Sequence, residues 1–343
     1  MYISIDNRWL TGFLGICHYQ KQKGETWRHE LHGGVLFLLR FTFVRIVYSL
    51  LTLFVVITIT FFLMHAIPGG IYTSEKRLPP AIVENIKAKY GLDKPLGQQY
   101  ILQVKSIAML DFGMSMKNQG RKVNDIIADH FPSSARLGAF SITLCLFTGI
   151  PLGILSALKV GKWQDRVSMV LATLGVSIPG FVVAVLSQYF LGTRLGIFPT
   201  IGDGTLLHLV LPGIALSFFP LSFIARLIRS GMIEVLEEDY IRIARAKGLS
   251  DGAVLYKHAL KNSVMPVVTY LGPLIAGVFT GSFVIESVFN IPGLGRYFVA
   301  SIGNRDYTVI MGLTVFYSLF LIGMNLIVDL IYVVIDPRIK LRK

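Results

Sequence analysis

Six long, almost uncharged apolar runs divide this 343-residue chain, and nothing else in the sequence constrains its fold as tightly. They are Ile46–Ile67, Leu137–Leu158, Val167–Thr193, Thr205–Ala225, Ser263–Ile285 and Tyr307–Val328. Crossing the hydrocarbon core of a bilayer takes about 20 apolar residues at 1.5 Å of helical rise each, and every run supplies them. Without water to satisfy its backbone, such a run must close its hydrogen bonds internally as a helix. The predicted fold class is therefore an all-α integral membrane protein with six transmembrane helices. The composition agrees: 15% of residues are charged, against roughly a quarter in an ordinary soluble domain.

An even number of spans places both termini on one side, and the basic residues indicate which. With the termini inside, Met1–Arg45, Lys159–Arg166, Arg226–Asn262 and Asp329–Lys343 carry six, three, seven and four Lys or Arg. The outer connections Arg194–Gly204 and Glu286–Asp306 carry one and two. That asymmetry is the positive-inside pattern, so the expected arrangement is N-in and C-in. The connection between the first two runs is also basic, but it exceeds the roughly 60 residues over which the rule applies. Topology thus accounts for the net charge of +13, and no basic stripe with interleaved aromatics remains to suggest nucleic acid. The first run begins after some 45 residues and is about twice the length of a signal-peptide core, which argues against a cleaved signal.

These boundaries give a cytoplasmic extension over 1–41, a first span over 42–67 and a small external domain over 68–134. A five-span core follows over 135–335, with a cytoplasmic loop at 229–262 between the fourth and fifth spans, and then a tail over 336–343. In the external domain, helices are expected near Ala81–Tyr90, ended by Gly91, and around Gln98–Leu110. Cys17 and Cys145 are isolated thiols without redox or metal spacing, and His29 and His32 have no partner ligands nearby, so no metal site is expected. Pro151, Pro179, Pro212, Pro220, Pro266 and Pro273 interrupt the apolar runs. They fit either ordinary kinks in a packed bundle or broken helices along a water-filled path. Gly149-xxx-Gly153 and Gly277-xxx-Gly281 have the spacing for close helix packing.

The inner loop carries the most information. Asp239 is placed to cap a short helix with Arg245 and Lys247 in its last turn and Gly248 as its left-handed terminator. Ser250 is placed to cap a second helix reaching about Lys261. Small Ala244 and Ala246 would let such a knob sit deep in a partner's groove. An amphipathic helix lying against lipid headgroups is the plainer alternative.

Several stretches together resemble the permease subunits of bacterial ABC importers of the oligopeptide and dipeptide (OppB/DppB) type. They are Asp111-Phe112-Gly113, Tyr240–Leu249 (YIRIARAKGL), His258–Asn262 (HALKN), Gly281–Glu286 (GSFVIE), Ile291–Gly295 (IPGLG), Asn304–Tyr307 (NRDY) and Val334–Pro337 (VIDP). Leu78-Pro79-Pro80 with Lys87–Leu92 is similar to the oligopeptide branch in particular. The resemblance runs in order from about Leu36 to Lys340. It implies a coupling helix, in what is called the EAA loop, that docks on an ATPase subunit. Carried onto this chain, the ATPase-coupling residues are Arg242, Ala244, Arg245, Ala246, Lys247, Gly248 and Leu249. Arg242 and Ile243 stand where the broad importer pattern has Glu-Ala, so no role passes to that missing glutamate.

The implied partners are a second homologous permease, two ATPase subunits that bind the ATP and Mg, and an external peptide-binding protein. The implied setting is the bacterial cytoplasmic (inner) membrane, with a peptide as substrate and no cofactor held by the chain itself. Related importers handle dipeptides, glutathione or nickel. No Gly-x4-Gly-Lys-[Ser/Thr] occurs, since Gly161-Lys162 is followed by Trp163, and no nucleophile–base pair is evident. The chain is thus expected to be non-catalytic. The competing class, a self-sufficient channel or secondary carrier, predicts intramembrane ionisable pairs or inverted repeats, and the runs contain little of either. At the outer end of the fifth run, Glu286 with Pro292, Gly293 and Gly295 forms a candidate gate on the translocation path. A carboxylate there could equally be a water-exposed interfacial residue.

Overall fold

The computed structural model describes residues 42–66, 91–118 and 120–335. The extension 1–41, the helix expected at Ala81–Tyr90, the Leu78-Pro79-Pro80 stretch and the tail 336–343 lie outside the described residues. The chain divides into two units, and every feature of functional interest belongs to Leu53–Tyr332. Of the other unit, Met1–Thr52 with Val333–Lys343, the described residues are the first turns of the first helix and the end of the last one.

Among the described residues the regular structure is helical, joined by turns and loops, with one isolated bridge between Met114 and Lys122. Helix α1 is Thr42–Ala66. Next come α2 (Leu96–Ala108), α3 (Val123–Leu158), α4 (Trp163–Ser177) and α5 (Gly180–Ser187), the last running on as a π-helical segment, Gln188–Arg194. The long α6 (Leu206–Glu237) leads to α7 (Asp239–Ala246), α8 (Asp251–Ala253), a π-helical segment Val254–Ala259, and α9 (Leu260–Ser263). The chain closes with α10 (Met265–Phe279), α11 (Phe283–Val288), α12 (Leu294–Gly303) and α13 (Tyr307–Ile335).

Five of these elements are long and apolar enough to cross a bilayer: α1, α3, α6, the α10–α11 pair and α13. Large side chains such as Phe43, Leu51, Phe54 and Phe62 stay exposed on α1, as expected of a surface solvated by lipid. The third apolar run, for which Pro179 left either a kink or a broken helix open, is broken between α4 and α5 and bends by 103°. Pro179 explains the break. It has no N–H for the Gly175 carbonyl, and it pushes Ile178 to an extended conformation at φ −89°, ψ 122°. Despite the bend, the pair follows α6 in antiparallel register. Arg226 donates to the Ala172 carbonyl at 3.1 Å, Gly175 lies against Ser222, and Gly180 lies against Ala215.

Helix α3 begins at Val123, well before its apolar run, and carries Pro132 and Pro151 inside it. Its close contact with α6 depends on two glycines. A Cβ on Gly149 would lie 3.0 Å from the Leu221 carbonyl, and one on Gly153 would lie 2.6 Å from that of Ala225. The packing expected of Gly149-xxx-Gly153 is present. That expected of Gly277-xxx-Gly281 is not, because Gly277 faces open space and Gly281 has left the helix at φ +92°.

Polar contacts gather at two ends of this bundle. At one, Asp203 accepts from Ser133 (2.7 Å) and Arg136 (3.0 Å), and Asp306 accepts from Ser115 and the Met116 amide. At the other, Arg229 meets Asp165 close to the α7–α9 hairpin. Among the described residues, the connection 194–204 thus meets 286–306, through the Gly202 amide on the Phe289 carbonyl, while 159–166 meets the end of α6 that leads into the hairpin.

Candidate functional site

The α7–α9 hairpin forms from local signals. Glu238, not Asp239, occupies the N-cap position, and it makes no side-chain cap bond. Asp239 is the first helical residue, where its charge favours the positive end of the helix, and it pairs loosely with Arg242 at 3.7 Å. Helix α7 ends as expected. Gly248 adopts φ +78°, its amide donates to Arg245 O at 2.9 Å, and the Leu249 amide donates to Ala244 O at 3.3 Å. That pair of bonds is the Schellman termination. Ser250 then caps α8 through the Ala253 amide at 3.4 Å. The second helix runs to Ser263 with a widened π segment that the sequence did not signal.

Two faces result. Ile241 and Ala244 turn inward and pack with Ile224, Ile228, Met232, Val254 and Ala259. Ala244 is only 6% exposed, so it anchors the hairpin to its own chain and does not enter a partner's groove, contrary to expectation. Arg242, Arg245, Ala246, Lys247 and Gly248 are exposed, with Leu249 half-buried beside them. Ile243, at 55% exposure, adds an apolar side chain to the outward face that the sequence reading had not singled out. A further bond missed at that stage, Asn262 Nδ2 to the Tyr240 hydroxyl at 2.7 Å, closes the hairpin across its open end.

The outer turn is built around Glu286. This carboxylate is 0% exposed, which overturns both the water-exposed and the path-facing readings of its side chain. Its partners are all within the chain: Ser134 Oγ at 2.7 Å, the Arg296 amide at 2.9 Å and the Gly295 backbone. Gly281 and Gly293 approach so closely that a Cβ on either would overlap the carboxylate. The GSFVIE and IPGLG stretches are therefore one structure, in which glycines let the backbone wrap a buried carboxyl group. Pro292 stays exposed, and its carbonyl accepts from His130 Nδ1 at 3.0 Å. The alternating Gly and Glu could have suggested this, but burial depends on α3, which sequence spacing does not place.

A third feature sits midway along the bundle. Phe181, Phe219, Pro220, Tyr270, Pro273 and Gly277 line a concavity of about 510 Å³, without any charged residue. Pro220 and Pro273 lack N–H groups, so the carbonyls of Leu216 and Thr269 lose their usual i+4 donors beside this space. Of the six prolines noted in the sequence, these two line it, and Pro179 at the α4–α5 break directly precedes Gly180, which also does.

Comparison with known proteins places these features in context. The family model described as "Binding-protein-dependent transport system inner membrane component" matches residues 149–341, and its N-terminal companion matches residues 38–138. The dipeptide transport system permease protein DppB of Bacillus subtilis is 49% identical over 85% of this chain and 95% of its own length. The oligopeptide transport system permease protein OppB of Escherichia coli K12 is 43% identical over 88% of this chain and 100% of its own. A chain from a solved structure of inward-facing conformations of the MetNI methionine ABC transporter aligns with a TM-score of 0.52 at 19% identity. It covers 62% of this chain and 96% of that one. At that identity, the likeness bears on the fold alone.

Proposed function

The chain belongs to the family of binding-protein-dependent transport system inner membrane components, and from that membership we propose that it forms half of the pore of an ATP-driven oligopeptide importer. It is a multi-pass protein of the inner membrane and a transporter permease subunit. A second, related permease completes the pore, two ATPase subunits hydrolyse ATP with Mg, and an external binding protein delivers the peptide. The observation that carries this reading is near-full-length similarity, at 43% and 49% identity, to permeases named for oligopeptides and dipeptides. A dipeptide substrate is the second reading, favoured by the higher of those two identities.

The hairpin serves as the ATPase contact, through exposed Arg242, Ile243, Arg245, Ala246, Lys247 and Gly248. A rigid, capped knob with a basic and partly apolar outer face supports that role, because a docked element transmits force only if it does not flex on its own. The translocation wall is the concavity between α5, α6 and α10. Carbonyls freed by proline are tolerated within a membrane only where they meet protein or water, which supports a solvated path there rather than lipid. The uncharged lining suits a carrier of peptides with varied side chains.

Reconstitution tests the whole reading. The chain, with a related permease, two ATPases and a binding protein, should import peptide into proteoliposomes only with ATP. Robust ATP-independent uptake by this chain alone would sink it.

A further inference from the structure

One buried carboxylate above the hairpin has no part in the features described so far. Asp165, in the first turn of α4, is 5% exposed and collects four hydrogen bonds. Ser156 Oγ of α3 donates at 2.5 Å, the Gly161 amide at 2.9 Å, and Arg229 of α6 through Nε at 2.8 Å and Nη2 at 2.9 Å. Three helical elements therefore meet on a single side chain. One turn away, Arg226 clamps the same two helices by donating to Ala172 O at 3.1 Å and Thr173 Oγ at 3.0 Å.

Such a pair is weak grounds for stability, since a well-packed apolar pair of similar volume is often as stable or more so. What a two-pronged Arg–carboxylate contact adds is a fixed relative orientation, which a lysine, as a point charge, does not supply. The neighbours show what is being oriented. Towards the hairpin, Arg229 is followed on α6 by Met232, which belongs to the same buried cluster as Ile241 and Ala244 of α7. Only Glu238 separates the end of α6 from the start of α7. In the other direction, Asp165 starts the helix that ends at the 103° bend, beyond which Gly180 and Phe181 line the central concavity.

We propose that Asp165 and Arg229 are a positioning pair that carries movement of the docked hairpin through α4 to the bend, and so to the wall of the path. The inference rests on the reading of the hairpin as the ATPase contact. It assigns these residues no contact with substrate or nucleotide.

The test uses the full reconstituted complex with two variants: Arg229→Lys and the apolar double variant Asp165→Leu/Arg229→Met. Each is assayed for co-purification of the ATPases and for peptide imported per ATP hydrolysed, a ratio that a purely structural role would leave unchanged. Arg229→Lys and the double variant should assemble at wild-type yield and import about fivefold or more fewer peptides per ATP, the lower end of typical coupling between sites. A wild-type ratio in either of these assembled variants overturns the inference. So does loss of assembly in the double variant, because the pair would then serve the fold alone. The hairpin reading is judged separately by Gly248→Val. If that variant still couples, the hairpin reading fails. If it uncouples while Arg229→Lys transports normally, only the positioning pair is rejected.

Discussion

Ser134 Oγ on α3 donates to Glu286 at 2.7 Å and accepts from the Leu294 amide at 2.9 Å, joining the outer turn to the body of the bundle through one hydroxyl. Glu286 is consequently a structural hydrogen-bond acceptor, and its replacement should act through stability. In Glu286→Ala, the Ser134 hydroxyl and the amides of Gly295 and Arg296 are left without their acceptor, at roughly 1–3 kcal/mol for each buried donor. Thermal unfolding of the purified complex should drop by several degrees. In Glu286→Gln, which keeps one carbonyl oxygen, uptake should fall equally for acidic, neutral and basic peptides. A loss confined to basic peptides would show that the carboxylate reads the substrate after all.

Gly248 offers a conformational test of the hairpin. A Cβ there would meet nothing within 4 Å, so any effect of substitution comes from its φ of +78° and not from crowding. Gly248→Val should cost about 1–2 kcal/mol at the turn, misplace α8, and reduce ATPase co-purification and ATP-dependent uptake together. Gly248→Asn, which tolerates the left-handed region, should recover most of both. Equal defects in the two variants would mean that the turn's conformation is not what matters.

Gly153 makes the opposite case, because its surroundings are full. Its Cβ would stand 2.6 Å from the Ala225 carbonyl and 2.7 Å from Ile228 Cβ. Gly153→Leu should push α3 from α6, with an overpacking cost of about 1–3 kcal/mol. The yield of folded permease in detergent, followed by size-exclusion chromatography, should fall sharply. An unchanged yield would show that the two helices separate at no cost.

Much of this was legible in the sequence where the cause is local. Span existence follows from apolar length, the end of α7 from Gly248, the cap of α8 from Ser250, and the close helix packing at Gly149 and Gly153 from their spacing. What the sequence did not disclose depends on elements distant along the chain. Glu286 looked exposed because it ends an apolar run, and only the approach of Ser134, Gly281 and Gly293 buries it. Ala244 looked like a partner contact because it is small, yet it is buried in one cluster with Ile228 and Met232. The bend at Pro179 was visible as a proline, but a proline inside an apolar run is compatible with a slight kink or a full break. The packing of α4 and α5 along α6 determines which of these forms.

Gly277 shows how open space separates a glycine that lines the concavity from one that packs against a helix. It shares the GxxxG spacing of Gly153, but a Cβ at this position meets nothing within 4 Å, and the residue lines the central concavity. Gly277→Leu should therefore leave the folded yield intact, since it adds a better helix former without a clash. Filling the concavity should instead narrow the route: uptake of peptides with bulky aromatic side chains should fall first, while small alanine peptides still pass. The measurement is competitive uptake of a mixed peptide pool into proteoliposomes, read by mass spectrometry, with ATPase activity followed in parallel. Equal uptake of large and small peptides by the variant would move the path away from α10. A loss of folded protein like that of Gly153→Leu would instead mean that another chain packs against this glycine.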